Sequence, residues 1–232
     1  MDGNGRWAQE RGLSRQAGHR AGTENIRQII EAFAQREVKY LTFFAFSTEN
    51  WSRPRREVEA ILRIAGRVIE RELATLHKNG VRLVHLGGLD RISPELRRRV
   101  QEAIELTKDN RRLTVCLAFN YGGRAEIVDA IRRIAADGVP AGEIDESLVS
   151  CYLNTNDLPD PDLVIRTAGE MRLSNFLIWQ AAYAEYYSTP VYWPDFDEAE
   201  IDLALETYAQ RSRRFGGLNK RRRPGPAANN GA

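Results

Sequence analysis

Two arginines and a serine sit close together in the segment Arg166-Thr167-Ala168-Gly169-Glu170-Met171-Arg172-Leu173-Ser174. Two guanidinium forks and a hydroxyl can grip phosphate oxygens two at a time, and a helix opening at Ser174 would add free N–H groups. That is the chemistry of a diphosphate site. The bland rival is a pair of surface ion pairs. A second candidate is the run Asp2-Gly3-Asn4-Gly5-Arg6-Trp7-Ala8. Its glycines allow backbone N–H groups to converge on an anion as a nest, and Arg6, Arg15, His19 and Arg20 can add charge. The run also fits G-x-G-x-x-A, but no strand precedes it and bulky Trp7 lies inside it, so a dinucleotide fingerprint is a poor reading. Asp2 and Glu185 are the carboxylates to pair with a hard cation such as Mg²⁺, which takes one or two carboxylates and completes its shell with phosphate oxygens and water. Glu185 read alone is a solvated helix end. His19 can carry a proton or face a phosphate. Trp51, Trp179 and Trp193 read more simply as core.

These residues need a scaffold that brings them together. Helical and strand patterns alternate along the chain. A helix capped by Thr23 carries Ile26, Ile29, Ile30 and Phe33 on one face. Tyr40 to Phe46 is a continuous apolar run of strand length, as in a strand buried on both faces. A helix over 55–78 follows, with Val58, Ile61, Leu62, Ala65, Val68, Ile69, Leu73 and Leu76 on one side. Further strands are expected at Val81–Leu86, Leu113–Phe119, Leu163–Ile165 and Pro190–Trp193. Helices are expected from Ser93, and over Ala125–Ala135, Glu146–Leu153, Phe176–Ala184 and Glu198–Arg211. This order argues for a single α/β domain, with a central, mostly parallel sheet flanked by helices. Loops bearing arginine, tryptophan or both follow the strands: Ser47 to Pro54, with Glu49, Asn50, Trp51 and Arg53; Asn120 to Arg124; Arg166 to Asn175; and Trp193 to Asp197. In open α/β sheets, ligands bind at the carboxyl ends of strands, so these loops are expected to share one cleft.

Composition narrows the classes. The chain has 232 residues, 42% apolar and 28% charged, which suits one globular domain. No run approaches 18 apolar residues, which excludes a transmembrane helix, and no leader-like start is present. The location expected is cytoplasmic, and Cys116 and Cys151, without metal-type spacing, read as reduced thiols. No P-loop, H-E-x-x-H or Cys/His cluster occurs, so nucleotide-hydrolase and zinc chemistry have no anchor. The net charge of +2 hides a basic end: without residues 219–232 the body holds 30 basic and 32 acidic residues. Nucleic acid is therefore not an expected partner. Only four of the 34 basic residues are lysine. A compositional bias explains that, and so does phosphate binding.

Taken together, the segments MDGNGRWA (1–8), Gly18-His19, FSTENWSRP (46–54), NYGGR (120–124), VIRTAGEMRLSNFLIWQ (164–180), WPDF (193–196) and RRFGG (213–217) resemble the cis-prenyltransferase family, which includes bacterial undecaprenyl diphosphate synthase. They run in family order over most of the chain. Neither of the Asp-rich motifs of trans-type prenyl chemistry occurs. The resemblance implies a homodimeric, Mg²⁺-dependent transferase that extends an allylic diphosphate, with farnesyl diphosphate as the expected primer, by isopentenyl diphosphate units in cis. The product would be a polyprenyl diphosphate, a precursor of a cell-wall lipid carrier.

By the same resemblance, Gly3, Asn4, Gly5, Arg6, Trp7, Arg15 and His19 cradle the allylic diphosphate. Asp2 holds Mg²⁺ and assists departure of the diphosphate. Ser47, Glu49, Asn50, Trp51 and Arg53 form the catalytic loop, with Asn50 at the chemistry. Arg166, Arg172 and Ser174 hold isopentenyl diphosphate. Glu185 matches a metal-linked position. Arg214 and Gly216 match an R-x-G that reaches the partner subunit's site. Whether Asp2, Asn50, His19 or a phosphate oxygen takes the proton stays open. The 55–78 helix, with Ala60 and Ala65, is expected to line an apolar product tunnel.

Family members run a strand into the Asp-Gly-Asn-Gly motif, whereas this sequence begins at its Met. The catalytic domain over 1–218 is thus expected to lack that strand and to hold Asp2 poorly. Residues 219–232 are expected to form a disordered basic tail, with peripheral membrane contact as a further possibility. The alternative function is a non-catalytic homologue that scaffolds a partner subunit.

Overall fold

The computed structural model describes residues 1–211. The described residues fold into seven helices and five strands: α1 (Asn4–Glu10), α2 (Arg15–Gln35), β1 (Tyr40–Ser47), α3 (Arg55–Lys78), β2 (Val81–Leu86), α4 (Pro94–Thr107), β3 (Leu113–Tyr121), α5 (Gly123–Ala136), α6 (Glu146–Tyr152), β4 (Leu163–Arg166), β5 (Glu185–Ser188) and α7 (Glu198–Ala209). Every ladder is parallel. β3 lies between β1 and β2, and β4 pairs with β5. Central β3 is buried on both faces, which explains why it is apolar apart from the buried Thr114 and Asn120.

Local chemistry sets the helix ends. The Ser14 side chain accepts the Ala17 N–H and starts α2 eight residues before Thr23. Thr23 instead lies inside α2, with its hydroxyl donating to His19 O at 2.6 Å. Ser93 caps α4 with Pro94 in its first turn, and Asp197 caps α7. The α2 face of Ile29, Ile30 and Phe33 packs with Phe43 of β1, Val81 and Leu83 of β2, and Trp193 into the larger core. A second core joins Leu86, Cys116, Ala118 and Tyr121 to Val164 and Leu177.

Two expected elements are replaced. Residues 176–184 form successive turns, not a helix. Ser174, Asn175 and Leu177 all have positive φ, and an α-helix cannot start through that backbone. The final strand is Glu185–Ser188, and Trp193–Asp195 is a 3₁₀ turn.

No strand precedes α1 among the described residues. β1 and β4 are end strands of separate ladders, and both line one cavity of about 1220 Å³. The fold is the expected single α/β domain with parallel strands flanked by helices; its strands form two ladders, β1-β3-β2 and β4-β5, on either side of the cavity in place of one unbroken ladder.

Candidate active site

The site is built around Asp2. Its N–H donates to Thr167 Oγ1 at 2.8 Å, and the Thr167 hydroxyl donates back to Asp2 O at 2.9 Å. Trp193 N–H reaches the same carbonyl at 3.0 Å. Arg166 Nε donates to Asp2 Oδ2 at 2.9 Å. Asp2 is thus firmly held without a preceding strand, because buried Thr167, just past the end of β4, grips its backbone from both sides.

The glycines beside Asp2 do more than free the backbone. Gly3 has φ of 102°, and a Cβ there would stand 2.5 Å from Tyr192 Cδ1. Gly3 ends the extended entry, and the chain turns straight into α1, with Trp7 N–H donating to Gly3 O at 2.8 Å. The expected open nest is thus the first turn of a short helix. Arg15 lies against Gly5, its guanidinium carbon 3.3 Å from where a Cβ would be.

Carboxylates organise the remaining cations. Glu170 pairs with Arg6 through Oε1 at 3.0 Å and with Arg172 through Oε2. Glu57 Oε1 faces three groups: Arg53 at 3.3 Å, Arg15 at 3.4 Å and His19 Nε2 at 3.5 Å. The last distance is too long for a hydrogen bond, so the buried His19 Nε2 lacks a partner. Burial drives the His19 pKa below its ordinary value, and the nearby Glu57 charge only partly offsets this.

The loop after β1 is held just as closely. Asn50 Oδ1 accepts the Ser47 N–H at 3.1 Å, and Asn175 Nδ2 donates to Glu49 Oε1 at 2.8 Å. Burial opposes the charge on Glu49, but its own backbone N–H and the Asn175 amide outweigh that and hold the carboxyl below its usual range.

The structure gathers most of the expected residues on one cavity wall: Asp2 to Arg6, Arg15 and His19; Ser47, Glu49, Asn50 and Arg53; Arg166, Arg172 and Ser174. Four groups of expected residues lie elsewhere. Trp7 lies off the wall, with Nε1 donating to Asp195 at 2.7 Å and Arg11 stacked on its ring. Trp51 is likewise off it, bonded to Asn120 Oδ1 at 2.7 Å and packed edge-on to Phe46. Glu185 pairs in register with Leu163, at the opposite end of β4 from Arg166 and Asp2, on the order of 10 Å along the strand. It is salt-bridged to Arg211 at 3.1 Å, so within one chain Asp2 and Glu185 do not face a shared ion. Of α3 only Ile61 lines the cavity; Ala60 and Ala65 do not, and the walls come instead from β1, β4 and their neighbours. Arg214, Gly216 and residues 219–232 lie outside the described residues.

Sequence reasoning missed Glu57, Glu170, Thr167 and Asn175. Glu57 carries a faint signal, four residues after Arg53 at a helix start. Asn175 carries none, since its side chain reaches Glu49 and Arg124 N–H from a backbone of left-handed φ that its spacing does not reveal.

Comparison with known proteins decides the family. The undecaprenyl diphosphate synthase family profile matches residues 1–216. The chain belongs to that family. It is 53% identical over 226 residues to an isoprenyl transferase of Brucella abortus, covering 95% of this chain and 89% of that one. An isoprenyl transferase of Fusobacterium nucleatum is 51% identical, with 94% of each chain covered. Among solved structures, lavandulyl diphosphate synthase from Lavandula x intermedia, in complex with dimethylallyl diphosphate, superposes with a TM-score of 0.90 at 37% identity, covering 93% of this chain and 95% of that one. A probable undecaprenyl diphosphate synthase from Campylobacter jejuni gives 0.77 at 34% identity, covering 84% and 92%. The protein is a cis-prenyltransferase.

The donor set suits a hard cation in a limited way. Among the described residues no group of three or more His, Cys, Asp or Glu converges. Asp2 is a cavity-wall carboxylate beside the cluster of arginines. One carboxylate plus substrate phosphate oxygens is a usual Mg²⁺ arrangement. No helix among the described residues is long and apolar enough to cross a membrane.

Proposed function

We propose that this prenyltransferase adds isopentenyl diphosphate in cis to an allylic diphosphate, with farnesyl diphosphate as primer, and makes a polyprenyl diphosphate for a lipid carrier. One observation carries the reading: a single cavity holds two arginine clusters, joined through Asp2 and Arg166. Arg6 and Arg15, with His19, hold the allylic diphosphate. Arg166, Arg172 and Ser174 hold the isopentenyl diphosphate. The dimethylallyl diphosphate bound to the lavender relative supports an allylic ligand here.

The chemistry follows from charge. Breaking the allylic C–O bond puts negative charge on the departing diphosphate. Arg6 and Arg15, on the cavity wall, stabilise that charge as it develops. Mg²⁺ bound through Asp2 and the phosphate oxygens would neutralise part of the same charge. Phe43, Ile61 and Leu163 on the cavity wall keep water from the allylic cation. Arg166 holds the second substrate close enough for its alkene to attack the allylic cation, and the cation so formed then loses a proton to give the new double bond. The 47–53 loop, fixed by the Asn50–Ser47 and Asn175–Glu49 bonds, closes one side.

The rest of the proposal is a homodimer, with Arg214 and Gly216 reaching the partner's site, and peripheral membrane contact as product leaves. The test is the geometry of the product: carbon-13 NMR of material made from labelled isopentenyl diphosphate. New double bonds all in cis support the reading, and trans bonds overturn it.

A further inference from the structure

Glu57 is used by nothing above, yet two groups of the proposed allylic site and one of the neighbouring 47–53 loop meet at one of its oxygens. Arg15 and His19 come from α2, and Arg53 comes from the loop after β1. All three line the cavity, whereas Glu57 does not; it stands behind them. Its side chain is only 18% exposed, so water screens it poorly. The contacts of 3.3, 3.4 and 3.5 Å share a single oxygen and are looser than the Asp2–Arg166 pair at 2.9 Å. Such contacts hold cations in place without neutralising them as a close bidentate pair would.

The local charge is then simple. Burial leaves His19 neutral near pH 7, so two arginines and one carboxylate give the cluster a net charge of +1. Without the carboxylate it would be +2. Every elongation cycle releases inorganic diphosphate from the site that Arg15 and His19 form beside Arg53, and a site that binds the leaving anion too tightly stalls.

We propose that Glu57 is an internal counter-ion that positions Arg15, His19 and Arg53 and lowers the site's hold on diphosphate, so that the released anion leaves. The inference rests on the proposed placement of the allylic diphosphate. Glu57 touches no substrate and acts through the three residues it faces.

The experiment compares turnover and inhibition by inorganic diphosphate in wild type, Glu57→Gln and Glu57→Asp. Wild-type turnover tests the underlying reading separately: without it the allylic-site assignment fails, whatever Glu57 does. With wild type active, Glu57→Gln should lower the inhibition constant roughly 3- to 10-fold at low salt, with less effect at high salt. Its kcat should fall as release slows. Glu57→Asp keeps the charge and should return the inhibition constant towards wild type. A merely structural role would weaken diphosphate binding and turnover together. An unchanged or raised inhibition constant in Glu57→Gln overturns the proposal, as does an equal shift in both variants. Thermal melting of each variant confirms that folded protein is compared.

Discussion

The Arg166 guanidinium binds Asp2 and Ser174 at once, donating from Nε to Asp2 Oδ2 at 2.9 Å and from Nη1 to Ser174 Oγ at 3.0 Å. One side chain therefore ties the N-terminal glycine turn to the loop that follows β4. In the proposed chemistry these are the two substrate half-sites, so their spacing is fixed before either ligand arrives. Effective concentration gained this way is a large part of any two-substrate reaction.

Asp2→Ala should lower kcat by on the order of 100-fold or more while leaving the KM for isopentenyl diphosphate within a few-fold. Asp2 acts on a charge that develops only as the allylic bond breaks. Steady-state kinetics separate the two constants. Equal losses in kcat and binding would remove Asp2 from the ionisation step.

Arg166→Ala should raise the KM for isopentenyl diphosphate about 10- to 100-fold, the worth of one or two charge-assisted hydrogen bonds. The KM for the allylic substrate should move much less. An unchanged KM for isopentenyl diphosphate would place that substrate elsewhere.

His19 makes binding of diphosphate pH-dependent. Burial sets its pKa below the ordinary 6.5 in the free protein, so it is neutral at pH 7. A bound diphosphate favours the charged ring and raises that pKa. Binding then takes up a proton between the two values. Affinity rises as pH falls through that window and levels off below the free pKa. Titration of wild type and His19→Asn from about pH 5.5 to 8 isolates this from the ligand's own ionisation. Parallel curves would show that His19 does not face the anion.

Gly22 is where α2 meets the glycine turn. A Cβ there would stand 2.1 Å from Asn4 Oδ1 and 2.8 Å from Trp193 Cδ1, and Trp193 Nε1 donates to Gly22 O at 2.6 Å. Gly22→Ala should cost about 1–3 kcal/mol. A fall in Tm of about 2–4 °C per kcal/mol would register it by calorimetry. Activity should fall as well, because the clash displaces Asn4 beside Asp2. A Tm equal to wild type would mean that the helices separate freely.

Much of this arrangement is legible in the residues. The apolar runs at Tyr40–Phe46 and Leu113–Phe119 both become parallel strands, but only the second is buried throughout; the first is a half-buried end strand whose exposed side lines the cavity. Of the loops that follow them, the one after β1 reaches the cavity, whereas residues 120–124 after β3 do not line it. The start of α2 was obscured because Arg15 to Gly22 is polar and glycine-bearing, which weakens the apolar period that marks a helix. Residues 176–184 show the reverse error: their apolar content suits a helix, but the strain-bearing backbone at Ser174, Asn175 and Leu177 decides, and periodicity does not register φ. The family motif alone suggests substrate contacts for Trp7 and Trp51. Their indole N–H groups find carboxylate and amide partners away from the cavity, which is how a tryptophan in a half-buried position is usually satisfied. Glu57 and Glu170 stayed hidden because an acid near arginines reads as an ordinary surface pair until the fold shows several cations on one carboxylate.

The most direct test is incubation of the purified protein with farnesyl diphosphate, labelled isopentenyl diphosphate and Mg²⁺, followed by butanol extraction and sizing of the product. The account predicts a discrete polyprenyl product that disappears with EDTA and is strongly reduced in Asp2→Ala. No label in the organic phase from folded protein would contradict it and would favour a scaffold for a partner subunit.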